Sequence, residues 1–314
     1  MDENAKYYLS KETKIVVDNN GCEHTVYRII ASQDIYCNDA IVIYCGQKGG
    51  FVESTSNLST KLLDSAWVYD DACVFGNAKV RQGANIFGNA RIYGEAVISG
   101  NVWIYGNAQV YDNASIYSNS GTIAVLDNAK IYGDATVTGK TRLFGNIEIF
   151  DNAKIIGSYA MNQELNIYEH AKIYGKAIVN GNANIYGNAI ITEEAMVSGD
   201  ATICDNAVIK GKARVERYAK VCDNAVIDDF ATVTDYAVVC GNAKIKDYAI
   251  IKGKSSVLGN AKVMDNATVK DEAMVKGHSK VSQGAIISKN SVITGFKRVK
   301  RDEEIDDDKV HRFL

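Results

Sequence analysis

Among 314 residues there is no proline, where average usage of roughly 5% predicts about fifteen. Proline cannot donate to a β-ladder and is kept out of sheet interiors, so its absence suits a chain that is nearly all ladder. Histidine is scarce, at His24, His170, His278 and His311, which leaves few candidates for a general base. No apolar run approaches the ~18 residues needed to span a bilayer, and Met1 to Ser10 carries no apolar signal core. A net charge of -3 lacks the basic stripe of a nucleic-acid footprint. Seven cysteines, an odd number at no framework spacing, fit a reducing compartment better than a disulfide scaffold. A soluble cytoplasmic protein without a membrane or nucleic-acid partner is expected.

What is present is a six-residue beat. From Val68 to Ile116 an aliphatic residue falls at every sixth position, and after a three-residue slip the beat resumes at Val125 and runs to Val299. Of the 39 beat positions 38 are Val, Ile or Leu, with Met161 the exception, and in 33 of 39 the residue two before is Ala, Ser or Thr. Such self-similarity marks a solenoid. In Ala90-Arg91-Ile92-Tyr93-Gly94-Glu95, strand alternation sends Ala90 and Ile92 inward and Arg91 and Tyr93 outward. Gly, Asn and Asp crowd the next two positions, as residues that tolerate positive φ do at sharp corners. Three equal sides close a triangle of 18 residues, so the beat gives about thirteen coils.

The expected organisation is a cap at 1–60, the solenoid at 61–300 and a charged tail at 301–314. The cap contains two strand-like runs, Lys14 to Val17 and Thr25 to Ile30, joined by the hairpin signal Asp18-Asn19-Asn20-Gly21. The tail ends Val310-His311-Arg312-Phe313-Leu314 and is expected to lie over the last coil or to latch onto a neighbouring subunit. Where Val102, Ile123, Thr141 and Tyr159 occupy the small inward position of one column, that wall should widen. The slip at Ser118 to Thr122 lies beside it.

Residues eighteen apart should stack. One outward column reads Phe75, Tyr93, Tyr111, Tyr132, Phe150, Tyr168, Tyr186, and a second reads Tyr69, Phe87, Tyr105, Leu126, Phe144. Stacked rings stabilise their neighbours, and contiguous exposed apolar surface marks interfaces, so the first column is the expected binding ribbon. It continues as Cys204, Cys222, Cys240. A linear column lacks the tetrahedral convergence of zinc, so no metal site is expected, and disulfides between coils are disfavoured in a reducing compartment. A corner column of Asn77, Glu95, Asn113, Asp134, Asn152, His170, Asn188 and onward to His278 reads as an amide ladder.

The small–any–aliphatic hexads resemble the left-handed parallel β-helix of hexapeptide-repeat proteins, and handedness follows from that resemblance alone, because crossover rules favour the right hand. The implied fold is all-β, a single-stranded left-handed parallel β-helix with a small N-terminal β cap and a short C-terminal tail. The pieces Tyr8-Leu9-Ser10-Lys11-Glu12-Thr13, Thr25 to Ala31, Gly49-Gly50-Phe51-Val52-Glu53-Ser54, Asn57-Leu58-Ser59 and Ala66-Trp67-Val68-Tyr69 further resemble the entry segment of the YdcK-like family of bacteria and their phages. That family is assigned as acyltransferases on fold grounds. Its Gly-Asp-Leu-Gly-Gly stands here as Gly46-Gln47-Lys48-Gly49-Gly50. The resemblance implies a homotrimer and, as one alternative, transfer from acyl-CoA or acyl-carrier protein with His170 as general base. The other reading is a non-catalytic binding and scaffolding protein that self-associates and recognises a partner or small ligand through its aromatic ribbons.

Overall fold

The computed structural model describes residues 5–37, 41–160, 163–300 and 303–313. It is an all-β parallel β-solenoid of about 14 turns preceded by an antiparallel region. Two compact units divide it, Met1–Gln163 and Glu164–Leu314.

The beat is the core. Every beat residue apart from Met161, which lies outside the described residues, is at most 1% exposed, and the alanines paired with them are fully buried. Burying each Val or Ile contributes about 1.5–3 kcal/mol. The partner must stay small because two large side chains do not fit on one wall. Strands of two residues carry each wall, and the next strand of the same wall lies eighteen residues on, as in Ile190↔Val208 and Ile191↔Ile209.

Corners turn through the left-handed region. Glycines there have φ of +64° to +87°, and Asp112, Asp127, Asp205, Asp223 and Asp235 share that conformation. Aspartate is useful at this strained position for a second reason. Its carboxylate accepts the corner N–H one turn ahead, as when the Gly241 N–H donates to Asp223 Oδ2 at 2.8 Å and the Gly253 N–H to Asp235 at 3.0 Å. The asparagine that follows runs the expected ladder, with Asn188, Asn206, Asn224 and Asn242 each donating to the next, as far as Asn260, at 2.9–3.1 Å. Asn77 donates to Glu95, and Asn113 to Asp134.

In the first unit, β1 (Tyr7–Val17) and β2 (Glu23–Ala31) form the antiparallel hairpin, closed by Gly21 N–H to Asp18 O at 3.2 Å and by Asn20 N–H to Asp18 Oδ1 at 2.8 Å. A short antiparallel pair follows, β3 (Ile35–Cys37) and β4 (Ile41–Ile43). Then β5 (Lys48–Val52) pairs antiparallel with β2 and parallel with the strand Cys73–Val74. The first solenoid rung thus falls within the segment read as cap.

The three-residue slip sits where expected. Strand Ser115–Val125 bulges against Val97–Ile104, with the register shifting between Gly100 and Val102. Backbones there approach so closely that a Cβ on Gly100 would meet Ser118 O at 2.0 Å, and Gly100 itself has φ +84°.

Two expectations need correction. Val102, Ile123 and Thr141 are fully buried, but Tyr159 is 64% exposed and widens no wall. A phenol does not fit the small slot. Between Gly157 and Leu165 the described residues form no strand, only a bridge of Ser158 to Lys140. The eighteen-residue column rule is therefore interrupted at this hexad. The second correction concerns the tail. Glu304–Ile305 and Val310–Phe313 do lie over the last coil, but as further rungs rather than a separate tail, pairing in parallel with Ile286–Ile287 and Val292–Gly295.

Candidate functional site

The aromatic column stacks as predicted through the first unit. Phe75, Tyr93, Tyr111, Tyr132 and Phe150 follow one another at 4.9 Å between ring centroids, within 6° of parallel. It is not a free ribbon, however. Phe75, Tyr93 and Tyr111 are 0%, 3% and 8% exposed, because the β1–β2 hairpin lies on them. Val26 and Val16 pack against these rings, and the His24 ring tilts over Phe75 at 5.0 Å. The tip is pinned by Tyr93 Oη donating to Asn19 Oδ1 at 2.7 Å and by Arg91 donating to Val17 O. Burial raises the Tyr93 phenol well above its ordinary pKa, and raises that of Tyr132 to about 12. The rings read as an interface are, for these three, the hairpin's own dock. Tyr132 and Phe150 remain partly open.

Tyr168 and Tyr186 stack on each other at 4.9 Å in the second unit. A hydrogen bond with Cys204, with burial second, raises the Tyr186 phenol to about 12.

The cysteine column also departs from expectation. Cys222 and Cys240 are joined by a disulfide, while Cys204 is a buried free thiol raised chiefly by burial. Strand stacking sets the two bonded residues one turn apart, with Cα atoms 4.8 Å apart, inside the range that a disulfide bridges. Cys204, Asp205 and Cys222 lie close enough to suggest a ligand trio, their atoms within 4.8 Å of one another, but the Cys222 sulfur is taken up by the disulfide and is not a thiolate donor.

His170 is exposed, and its backbone N–H donates to Gly187 O at 2.9 Å. The adjacent Glu169 carboxylate accepts the Gly187 N–H at 2.8 Å. It therefore serves the corner ladder rather than orienting the imidazole as a base would require. His278 stacks on Phe296 at 4.9 Å.

Sequence reasoning missed two surfaces. Tyr218 and Tyr236, and separately Phe230 and Tyr248, form stacked pairs at 4.9 Å, each ring about half exposed or more. They occupy the second corner position, where the asparagine pattern hid them. The other surface is a groove between the loop at 56–65 and the slip, with volumes of ≈ 730 Å³ and ≈ 400 Å³ in its two parts. Its wall is fixed by Asp64, which accepts N–H groups from Ala66, Gln82 and Gly83 at 2.8–3.0 Å. The buried Lys6 ammonium donates to the carbonyls of Asp64 and Ala66. No family model matches this chain, and no curated protein matches it.

Proposed function

We propose that the chain is a non-catalytic binding and scaffolding protein, built on a left-handed hexapeptide-repeat β-helix of YdcK-like kind. It self-associates, with a trimer favoured, and recognises a partner or small ligand through outward aromatic side chains, in the cytoplasm of a bacterium or in a phage–host setting. The observation that carries this reading is the pair of exposed stacks, Tyr218 on Tyr236 and Phe230 on Tyr248. Ring faces left half in water on a rigid scaffold are the kind of anchor that interfaces bury.

Sedimentation velocity of the wild type and of a variant with Tyr218, Tyr236, Phe230 and Tyr248 changed to Ser tests it. An oligomer in the wild type that dissociates in the variant supports the reading. A monomer in both, or an unchanged oligomer, contradicts it. The acyltransferase alternative is tested by titrating acyl-CoA into wild type and His170→Ala. Acyl transfer that is lost in the variant would replace the non-catalytic reading.

A further inference from the structure

The groove along one corner of the first unit is continuous, since its two parts share Ser65, Gln82 and Gly83. Its ends differ in charge. Lys61, Lys79 and Arg81 line the larger part; all three are exposed, and among the described residues none forms an ion pair. The one acid there, Asp64, is held in place by three backbone N–H groups and forms no ion pair with these cations. Three cations thus stand against one anion in this lining, on a chain whose net charge is -3. The smaller part carries no charged side chain. Its walls are amides, hydroxyls and backbone, among them Asn101, Ser118, Asn119, Ser120 and three glycines.

Two hydrogen bonds hold that neutral end in shape. Asn101 Nδ2 donates to Thr122 Oγ1 at 2.8 Å, and Ser118 Oγ donates to Gly121 O at 2.8 Å. Asn119 and Ser120 at the crest of the slip stay exposed. The slip therefore builds one wall of the groove's smaller part.

We infer that this groove binds an acidic oligosaccharide. A carboxylate or sulfate group sits among Lys61, Lys79 and Arg81, and neutral sugar units extend toward Asn101 and the slip. Cations at one end select a negative group. Uncharged groups able both to donate and to accept match sugar hydroxyls, which do the same. A nucleic-acid strand would need cations along its whole path, and here they stop halfway. This surface is separate from the aromatic pairs of the second unit, so either proposal can fail alone.

Calorimetric titration of the full chain at low salt tests it, with trigalacturonate, a heparin tetrasaccharide and sialyllactose set against galactotriose and lactose. At least one acidic probe is expected to bind more tightly than its neutral counterpart. Each exposed charge pair is worth up to about fivefold. Lys61→Gln, Lys79→Gln and Arg81→Gln together should thus weaken that probe by on the order of 100-fold, with an unchanged circular dichroism melt. Asn119→Ala with Ser120→Ala should weaken acidic and neutral probes alike by a few fold. Acidic probes no tighter than the neutral ones would overturn the inference, as would a triple variant that binds like wild type. Inorganic sulfate that competes as well as the oligosaccharide would reduce the groove to a plain anion site, and tighter binding of a single-stranded oligonucleotide would reassign it.

Discussion

Val26 offers the sharpest perturbation of the hairpin dock. It is fully buried in the cluster that also holds Phe51, Cys73, Phe75, Tyr93 and Tyr111, where its side chain contributes about 1.5–3 kcal/mol. Val26→Asp removes that term and adds about 1–3 kcal/mol for placing a polar group without a partner. The summed loss of about 2.5–6 kcal/mol falls on an element whose remaining ties at the tip are Tyr93 to Asn19, Arg91 to Val17 and the His24 contact. Local opening then approaches even population while the solenoid core, which Val26 does not enter, stays closed. Nitration by tetranitromethane, read by peptide mass spectrometry, reports this directly. In the wild type Tyr218, Tyr236 and Tyr248 should react while Tyr93 and Tyr111 are protected. In Val26→Asp, Tyr93 and Tyr111 should join the reactive set with the far-ultraviolet signal retained. Equal reactivity of Tyr93 in both proteins would refute the docked hairpin.

Two further outcomes follow from the second unit. Asp228 sits between Lys210 at 3.2 Å and Lys246 at 3.0 Å. Burial pulls its carboxyl upward, but the Lys246 hydrogen bond, the Asp229 N–H and Lys210 outweigh that, so its pKa lies below the usual range. A depressed folded pKa gives stability that is present above the unfolded value of about 3.9 and is lost as pH falls through the folded one. Asp228→Asn should flatten that acid limb of the melting curve; a limb unchanged from wild type would contradict the assignment. The Cys222–Cys240 bond closes a loop with a sequence separation of 18, for which chain entropy gives about 3 kcal/mol. Cys240→Ser should lower the melting temperature and abolish the linked tryptic peptide in non-reducing mass spectrometry, whereas a wild type that yields only free Cys222 and Cys240 would rule the bond out.

The interior was legible because one local rule, a small residue two before an aliphatic one, repeats with almost no exceptions, and burial answers only to that rule. The corners were legible in type, since Gly and Asp tolerate positive φ, but the carboxylate's reach to the N–H one turn ahead was not, because that partner is remote in sequence. The hairpin's strands and turn carried local signals. Its dock did not, for nothing in Val16, Val26 or His24 names Phe75 and Tyr93 as partners. Tyr159 in a small slot points by pattern to a wider wall, but a phenol there is left exposed, and the described residues between Gly157 and Leu165 form no strand. Ile305 keeps the beat six residues after Val299, but the charges around it masked a further rung. Of the candidate sites, the ribbon's stacking was readable and its exposure was not. The groove was invisible because its larger part joins the irregular loop at 56–65 to the strand around Lys79 and Arg81, and its smaller part joins Gln82 and Gly83 to the slip, residues remote in sequence.

Spin labels in the second unit give the most direct test of the central claim, that each eighteen residues close one turn. Lys244, Lys262 and Lys280 lie on adjacent paired strands of one wall, so neighbouring backbones should be about 4.8 Å apart and alternate ones about 10 Å. Labels at Lys244 and Lys262 should show strong short-range coupling, and those at Lys244 and Lys280 weaker coupling at about twice the backbone separation. A Lys244–Lys262 separation equal to or greater than that of Lys244–Lys280 would contradict the solenoid.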